Sequence, residues 1–176
     1  MEEFMLIRPT GEYAAQLMEY RQEFLDAGDS MDGCGPLRRY ENPEEYIQLC
    51  RDYENPATVP SHLVLATQLL YIRKCDNKLV GMLQIRHCFN DYLEKYAGHI
   101  GDGIRPSERG KGYATEMIRL ALFECRKLGI HKVLMVCDKS NTASRKSIIK
   151  NGGILENEFL DDEGEVHQRF WIELEN

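Results

Sequence analysis

The chain has 176 residues, length enough for a single domain over 1–176 with a substantial core. Acidic residues outnumber basic ones by 29 to 22, a formal charge of −7 that opposes nonspecific nucleic-acid binding and would tolerate a cationic partner. No apolar run approaches a membrane span, and the opening Met-Glu-Glu-Phe lacks the basic stretch of a secretion signal, so a cytoplasmic protein free of membrane is expected.

Taken in order, residues 5–9 predict a first strand. Thr10 is placed to cap a helix over Gly11–Ala27, where Tyr13, Leu17, Tyr20 and Phe24 recur at helical spacing. Gly28–Pro36 reads as loop, and Pro43 opens a second helix to about Tyr53 with Tyr46, Ile47 and Cys50 on one side. The segments Gln68–Lys74 and Lys78–His87 predict a hairpin closed by Cys75-Asp76-Asn77. In its second arm Leu79, Gly81, Leu83 and Ile85 alternate with Val80, Met82, Gln84 and Arg86. Both sets are largely apolar, as in a central strand covered on two sides. Asn90–Ala97 is a connector with a helical turn, and Gly98–Arg105 is a strand. Cys34, Cys50, Cys75, Cys88, Cys125 and Cys137 contain no C-x-x-C pair, and they read as reduced thiols, mostly core fillers.

The stretch Arg105–Thr115, R-P-S-E-R-G-K-G-Y-A-T, joins that strand to a helix over about Arg109–Lys127. Ala114, Met117, Ile118, Ala121, Leu122 and Cys125 form the buried stripe of this helix, and Gly129 ends it. A helix start leaves about four N–H groups unpartnered and carries roughly half a positive charge. Gly110 and Gly112 let a ligand approach those amides, while Arg109 and Lys111 add cationic donors, a combination that suits phosphate or pyrophosphate. A Walker loop is excluded because Gly112 follows Lys111 and the upstream glycine is missing; the Rossmann fingerprint breaks at Pro106.

Lys132–Cys137 is a short buried strand, for which a right-handed parallel crossover is expected. In Asp138–Gly153, Asn141 or Ser140 caps a helix with Ala143, Ser147 and Ile148 inward, closed by Gly152 or Gly153. Ile154–Phe159 and Val166–Leu174 predict a final antiparallel hairpin around Asp161–Gly164.

The pattern R-x-x-G-x-A, with Arg109, Gly112 and Ala114 in its fixed places, resembles the acyl-CoA signature of the GNAT superfamily of N-acetyltransferases. Asn141, Ser144, Lys150 and Gly152 match in order and spacing a second motif of that family. The resemblance implies a mixed α/β fold with helices on both faces of a largely antiparallel central sheet, and one splayed parallel strand pair that admits the pantetheine arm. It implies acetyl-CoA as co-substrate, and no His/Asp/Glu spacing suggests a metal. Ile104, Arg105, Arg109, Gly110, Lys111, Gly112, Tyr113, Ala114 and Thr115 would then hold the cofactor's pyrophosphate end, and Asn141 and Ser144 its pantetheine amides. The chain departs from the family at Ile148, where a Tyr often protonates the leaving thiolate, and at Gly153, where a Phe often follows the closing glycine.

The implied reaction is direct acetyl transfer to a primary amine of a small molecule or peptide. Neutralising a lysine-like amine at pH 7 costs about 4.6 kcal/mol, which a positioned base can offset. His99 and Asp102 on the entering strand are the candidates, with His87 on the strand before; for each the alternative is an ordinary hydrogen-bonded strand residue. Alternation sets His99 opposite the core residues Ile100 and Ile104, facing the cleft, whereas a bulge would bring Asp102 forward. Tyr92, Tyr96 and Tyr113 read as packed aromatics, and His62, His131 and His167 as surface or packing residues. Asp29, Asp32, Glu41, Glu44 and Glu45 would attract a cationic acceptor if they line its entrance; the alternative for each, and the favoured one, is an ordinary solvated loop or helix charge. Two other functions stay open: a CoA-sensing module without turnover, and a ribosomal-protein-type N-terminal acetyltransferase. There is room for a homodimer, and no nucleic-acid or membrane partner is expected.

Overall fold

The computed structural model describes residues 2–174. A central hairpin of β2 (Ala66–Arg73) and β3 (Lys78–Arg86) is flanked by β1 (Phe4–Ile7) beyond β2 and β4 (Ile100–Ile104) beyond β3, all antiparallel. Both hairpin arms are buried over nearly their whole length because helices cover both faces. On one face α1 (Ala14–Ala27) and α2 (Pro43–Glu54) set Leu17, Tyr20, Phe24, Tyr46 and Ile47 against Leu70, Ile72, Leu79 and Met82. On the other, α3 (Tyr113–Lys127) sets Met117, Ile118 and Ala121 against Leu69, Tyr71, Val80 and Leu83.

One feature of β3 breaks the simple alternation. The pairing runs Tyr71 to Gly81 and then Ile72 to Leu79, leaving Val80 as a bulge. A one-residue slip exchanges faces, so Leu79 joins the α1 side and Val80 the α3 side, opposite to strict alternation. The start of α1 also differs from expectation. Thr10 makes no side-chain cap, and Gly11–Tyr13 forms a 3-10 turn before the helix proper. At α2 the side chain of Asn42 accepts the Glu44 N–H, and Pro43 occupies the first turn, where its missing N–H costs nothing.

The C-terminal part forms a second sheet from β5 (Lys132–Asp138), β6 (Ile154–Leu160) and β7 (Val166–Glu173), in the order β5-β7-β6. Val133, Met135, Cys137, Phe170 and Ile172 extend the core beneath α3, with Ile148 of α4 (Thr142–Lys150) added to it. The strands β4 and β5 splay as expected, but the expected parallel pairing does not form as a ladder. Among the described residues they meet at one isolated antiparallel bridge, Gly98 to Met135. Gly98 sits at φ 69°, and a Cβ there would collide with the Leu134 carbonyl, so only glycine allows this approach. The His99 N–H donates to Leu134 O (2.8 Å), and the Leu134 N–H donates to the His99 ring at Nδ1 (2.9 Å). An imidazole thus takes the place of the next backbone acceptor, and beyond it the two sheets part. Among the described residues no helix is long and apolar enough to cross a membrane.

Candidate active site

The open edge of β4 is the first component. Hydrogen bonds from the Arg86 N–H to His99 O (2.8 Å) and from the Arg105 N–H to Val80 O (3.0 Å) fix the phase of the β3–β4 ladder. In an antiparallel pair successive residues turn their backbone groups alternately inward and outward. Gly101 and Gly103 therefore bond β3, while Asp102 and Ile104 point their N–H groups into the gap between the sheets. The register holds without a bulge over Ile100–Ile104, so Asp102 lies opposite Leu83.

Asp102 is partly buried in this gap. Burial, with Asp32 added, pushes its carboxyl up to about 6 against the opposing pull of Arg86. His99 is differently placed. Its ring is buried, stands 4.1 Å from Phe89 and has Nδ1 occupied by the Leu134 N–H. Burial, and next the charge of Arg86, take it down to about 4. A neutral imidazole whose Nδ1 accepts carries its proton on Nε2 and has no lone pair left for an amine proton. This geometry does not suit the base role expected of His99 from the sequence; the residue staples the seam. His87 contacts Thr67 Oγ1 through Nε2 (2.9 Å), and its burial lowers its pKa.

The loop before α3 is the second component. Gly110 and Gly112 hold φ of 78° and 81°, with open space where a Cβ would stand. Gly112 is the N-cap of α3, and no side chain caps that helix, so its first-turn N–H groups remain for an anion. The surrounding side chains are used otherwise than the sequence suggested. Arg105, buried, donates to Glu23 Oε2 (2.6 Å) and Leu79 O (3.0 Å). Arg109 donates to Ile104 O (3.0 Å), pairs with Asp29 and lies over the Phe24 ring. The Tyr113 hydroxyl donates to Glu2 while its ring packs edge-on to Phe4. Thr115 Oγ1 donates to Ser147 Oγ (3.1 Å), and Ala114 packs against the core. These side chains shape the loop, and the anion site is left to the backbone.

Glu108 was not foreseen. It is buried, and it accepts from Lys78 (2.6 Å), Lys111 (2.7 Å) and Arg73 (2.9 Å). Burial raises its pKa, but those three cations outweigh burial and hold it at about 2. Lys111, half-exposed, is tethered to Glu108, and Arg109, exposed to the same degree, is tied to Asp29. Arg73 and Lys78 are remote from Glu108 in sequence, so no local pattern signals the cluster.

At the start of α4, Asn141 Oδ1 accepts the Ser144 N–H (3.1 Å), which leaves its amide N–H groups to meet a ligand. Ile148 is fully buried, and a Cβ at Gly153 would stand 2.5 Å from Ile148 Cγ2. The two departures from the family pattern are therefore one packing unit, because the branched Ile148 fits only beside a residue without a side chain.

A cleft of about 620 Å³ opens beside the N-terminal half of β4, and its lining includes Arg38, Arg39, Tyr53, Gln84, Arg86 and Tyr92. No carboxylate lines it. The acids expected there lie elsewhere: Asp29 pairs with Arg109, Asp32 accepts from Ser30 Oγ, and Glu41, Glu44 and Glu45 belong to the approach and first turn of α2. The cleft is cationic, and these acids are ordinary loop and helix charges outside its lining.

A splayed sheet, an uncapped helix start at its mouth and a cleft on the opposite flank define a fold shared with acyl-CoA-dependent transferases. Residues 35–150 match the model of the acetyltransferase (GNAT) family. The chain belongs to the GNAT family of acetyltransferases. Solved structures agree in fold. A ribosomal-protein-S5-alanine acetyltransferase from Vibrio fischeri superposes with a TM-score of 0.72 at 15% identity, covering 100% of this chain and 96% of that one. The microcin C7 self-immunity acetyltransferase MccE, in complex with acetyl-CoA and AMP, gives 0.70 at 19% identity, covering 98% and 93%. A spermidine N-acetyltransferase SpeG chimera from Vibrio cholerae and hSSAT gives 0.64 at 16% identity, covering 97% and 95%. Among curated proteins none matches significantly. Among the described residues no three His, Cys, Asp or Glu side chains gather to hold a metal.

Proposed function

We propose that this acetyltransferase moves the acetyl group of acetyl-CoA directly to a primary amine of a small molecule, with Asp102 as the base. The observation that carries the reading is the position of Asp102. It stands on the open edge of β4, on the face toward α3 and opposite Leu83, and its carboxyl is pushed up to about 6. A base with a pKa near the working pH combines sufficient ionisation with sufficient basicity. The outward N–H groups of Asp102 and Ile104 are donors for the thioester carbonyl and the pantetheine amides. The Gly110–Thr115 backbone, with Lys111, receives the pyrophosphate, and the Asn141 amide reads the pantetheine arm. The proton released by the acceptor amine goes to Asp102 Oδ. With Ile148 in place of a hydroxyl, the thiolate leaves without a side-chain acid, consistent with a free thiol pKa of ~8.5. Cys34, Cys50, Cys125 and Cys137 are buried free thiols, which fits a reducing, cytoplasmic setting.

The test is acetyl transfer to an amine panel, read as product mass, for wild type and Asp102→Asn. Wild type should acetylate at least one class of amine, and Asp102→Asn should retain acetyl-CoA binding with kcat lowered by ~10²-fold or more. Ile148 favours one other reading, a CoA-binding module without turnover. Tight acetyl-CoA binding with no acetylated product from any amine would establish that reading instead.

A further inference from the structure

The cleft gathers three arginines that have no ion-pair partner among the described residues. In a chain with a formal charge of −7, Arg38, Arg39 and Arg86 line a single concavity without a carboxylate among the lining residues. Elsewhere Arg8 pairs with Glu54, Arg73 with Glu108, Arg105 with Glu23, Arg109 with Asp29, Arg119 with Glu116 and Arg169 with Glu156, whereas Arg21, Arg51, Arg126 and Arg145 form no ion pair among the described residues. Among the described residues the three cleft arginines form no ion pair. Arg38 donates to the Asp29 carbonyl. Arg86 reaches only the carbonyls of Ala97 and Gly98, each at the 3.5 Å limit of a hydrogen bond.

Arg86 is the informative one. It is partly buried, and burial disfavours its charged form. Its own surroundings supply weak compensation, since Asp102 and Asp32 act on it at a distance without forming an ion pair. A guanidinium removed from water without a partner is costly, and an oxyanion from solution is the partner that relieves the cost. The fork of donors on arginine matches the paired oxygens of carboxylate and phosphate. The guanidinium also lies against β4, because a Cβ on Gly101 would be 2.9 Å from one of its terminal nitrogens. Gly101 immediately precedes Asp102. The Arg86 charge acts on the Asp102 carboxyl across the edge of β4, so an oxyanion bound to Arg86 would sit at the same strand edge as the proposed base. Gln84, Asn90, Tyr53 and Tyr92 provide neutral hydrogen-bonding groups around the same space.

We propose that the acceptor is a small amine bearing an oxyanion, carboxylate or phosphate, separated from the nitrogen by a few atoms, and that Arg86, with Arg39 and Arg38 at the mouth, binds that oxyanion. The proposal rests on the acetyltransferase reading and specifies its substrate. Arg86 and Arg39 act as specificity determinants, and the transfer itself is unchanged: the amine nitrogen forms a bond to the acetyl carbon, the carbon–sulfur bond breaks, and the amine proton is taken by Asp102.

The test compares matched amines: α-amino acids against their α-amides, and 2-aminoethyl phosphate against ethanolamine. Acetyl-CoA affinity is measured in parallel by calorimetry. The oxyanion-bearing member of a pair should show kcat/KM at least ~10-fold above its neutral counterpart, mostly through KM, and the preferred pair distinguishes carboxylate from phosphate. Arg86→Gln should abolish the preference, and Arg86→Lys should restore part of it. Arg39→Gln, at an exposed position that does not endanger folding, should weaken the preference several-fold. Equal or better turnover of amides, ethanolamine or a polyamine would overturn the proposal while leaving the acetyltransferase reading intact, as would an undiminished preference in both Gln variants. Failure of wild type to bind acetyl-CoA would remove the underlying reading and the proposal with it. If acetyl-CoA binds and no panel member is acetylated, calorimetric titration of the CoA complex with 2-aminoethyl phosphate and with amino acids decides. Binding lost in Arg86→Gln supports the oxyanion site, and absence of binding overturns it.

Discussion

His99, just before β4, and Asp102, within it, have pKa values shifted in opposite directions from what side-chain chemistry alone would assign. An imidazole titrates near neutrality in water and a carboxylate does not. Here burial, with the charges of Arg86 on His99 and of Asp32 on Asp102, reverses this, with His99 at about 4 and Asp102 at about 6. The activity of the wild type should accordingly rise with pH through about 6 as Asp102 ionises, and that inflection should vanish in the residual activity of Asp102→Asn. His99 predicts a different signature. Its folded pKa lies below the ordinary 6.5, so the unfolded chain binds more protons between about 6.5 and about 4. The stability it contributes is complete above about 6.5 and declines as pH falls toward 4, by up to about 3 kcal/mol. His99→Asn offers an uncharged oxygen to the Leu134 N–H and should lose this acid dependence in urea unfolding. It should keep kcat within a few-fold of wild type at pH 7. A ~10²-fold loss of kcat in His99→Asn, with folding intact, would return the base role to His99.

At the level of elements, the loop into α3 and the turn after α4 each depend on a missing side chain for a different reason. Gly112 combines φ of 81° with the role of N-cap on a helix whose uncapped start we propose receives the pyrophosphate. Gly112→Glu should weaken acetyl-CoA binding by ~100-fold or more, because a carboxylate there repels phosphate. Gly112→Ala, which adds only the left-handed strain of about 1–2 kcal/mol, separates conformation from charge and should cost a few-fold. Calorimetry on both variants checks this. Gly153 is required by packing, with Ile148 Cγ2 and its carbonyl 2.5 Å and 2.9 Å from where a Cβ would stand. Gly153→Ala should destabilise by about 1–3 kcal/mol through overpacking, visible as a lower urea midpoint with an unchanged slope. The same substitution beside Ile148→Ala should recover much of that loss.

Across the whole molecule, Glu108 gathers cations from β2, β3 and the phosphate loop into one buried cluster. Its carboxyl is held at about 2, below the ordinary 4.5, so the unfolded chain binds the extra proton as pH falls between these values. The stability it supplies is complete above about 4.5 and is lost as pH drops through about 2. Glu108→Gln should therefore lose up to about 3 kcal/mol at neutral pH and flatten the acid limb of the stability curve. It should also loosen Lys111 and the loop before α3, weakening acetyl-CoA binding modestly. An unchanged urea midpoint in Glu108→Gln would show that the cluster contributes no net stability.

The sequence by itself determined the order of elements, the two covered faces of the central hairpin apart from the bulge at Val80, and the glycine loop that opens α3, because each rests on local patterns. Periodicity marked α1, α2 and α3, the Cys75-Asp76-Asn77 turn marked the hairpin, and the glycines with the following apolar stripe marked the loop into α3. The two family motifs, at Arg109–Ala114 and Asn141–Gly152, were legible for the same reason. Tertiary structure decided what each long side chain does. Arg105, Arg109, Tyr113 and Thr115 look like ligand-binding groups in the motif, yet they are used on Glu23, Asp29, Glu2 and Ser147, partners on other elements. The opposite shifts at His99 and Asp102, and the seat of the His99 ring, depend on Leu134, Arg86 and Asp32, which approach them only when the two sheets meet at Gly98. The sign of the cleft was likewise invisible. Acidic residues are abundant in the segment that forms one of its walls, but Arg38 and Arg39, not those acids, line it together with Arg86, and electrostatics depends on which side chains converge, not on how many the segment contains.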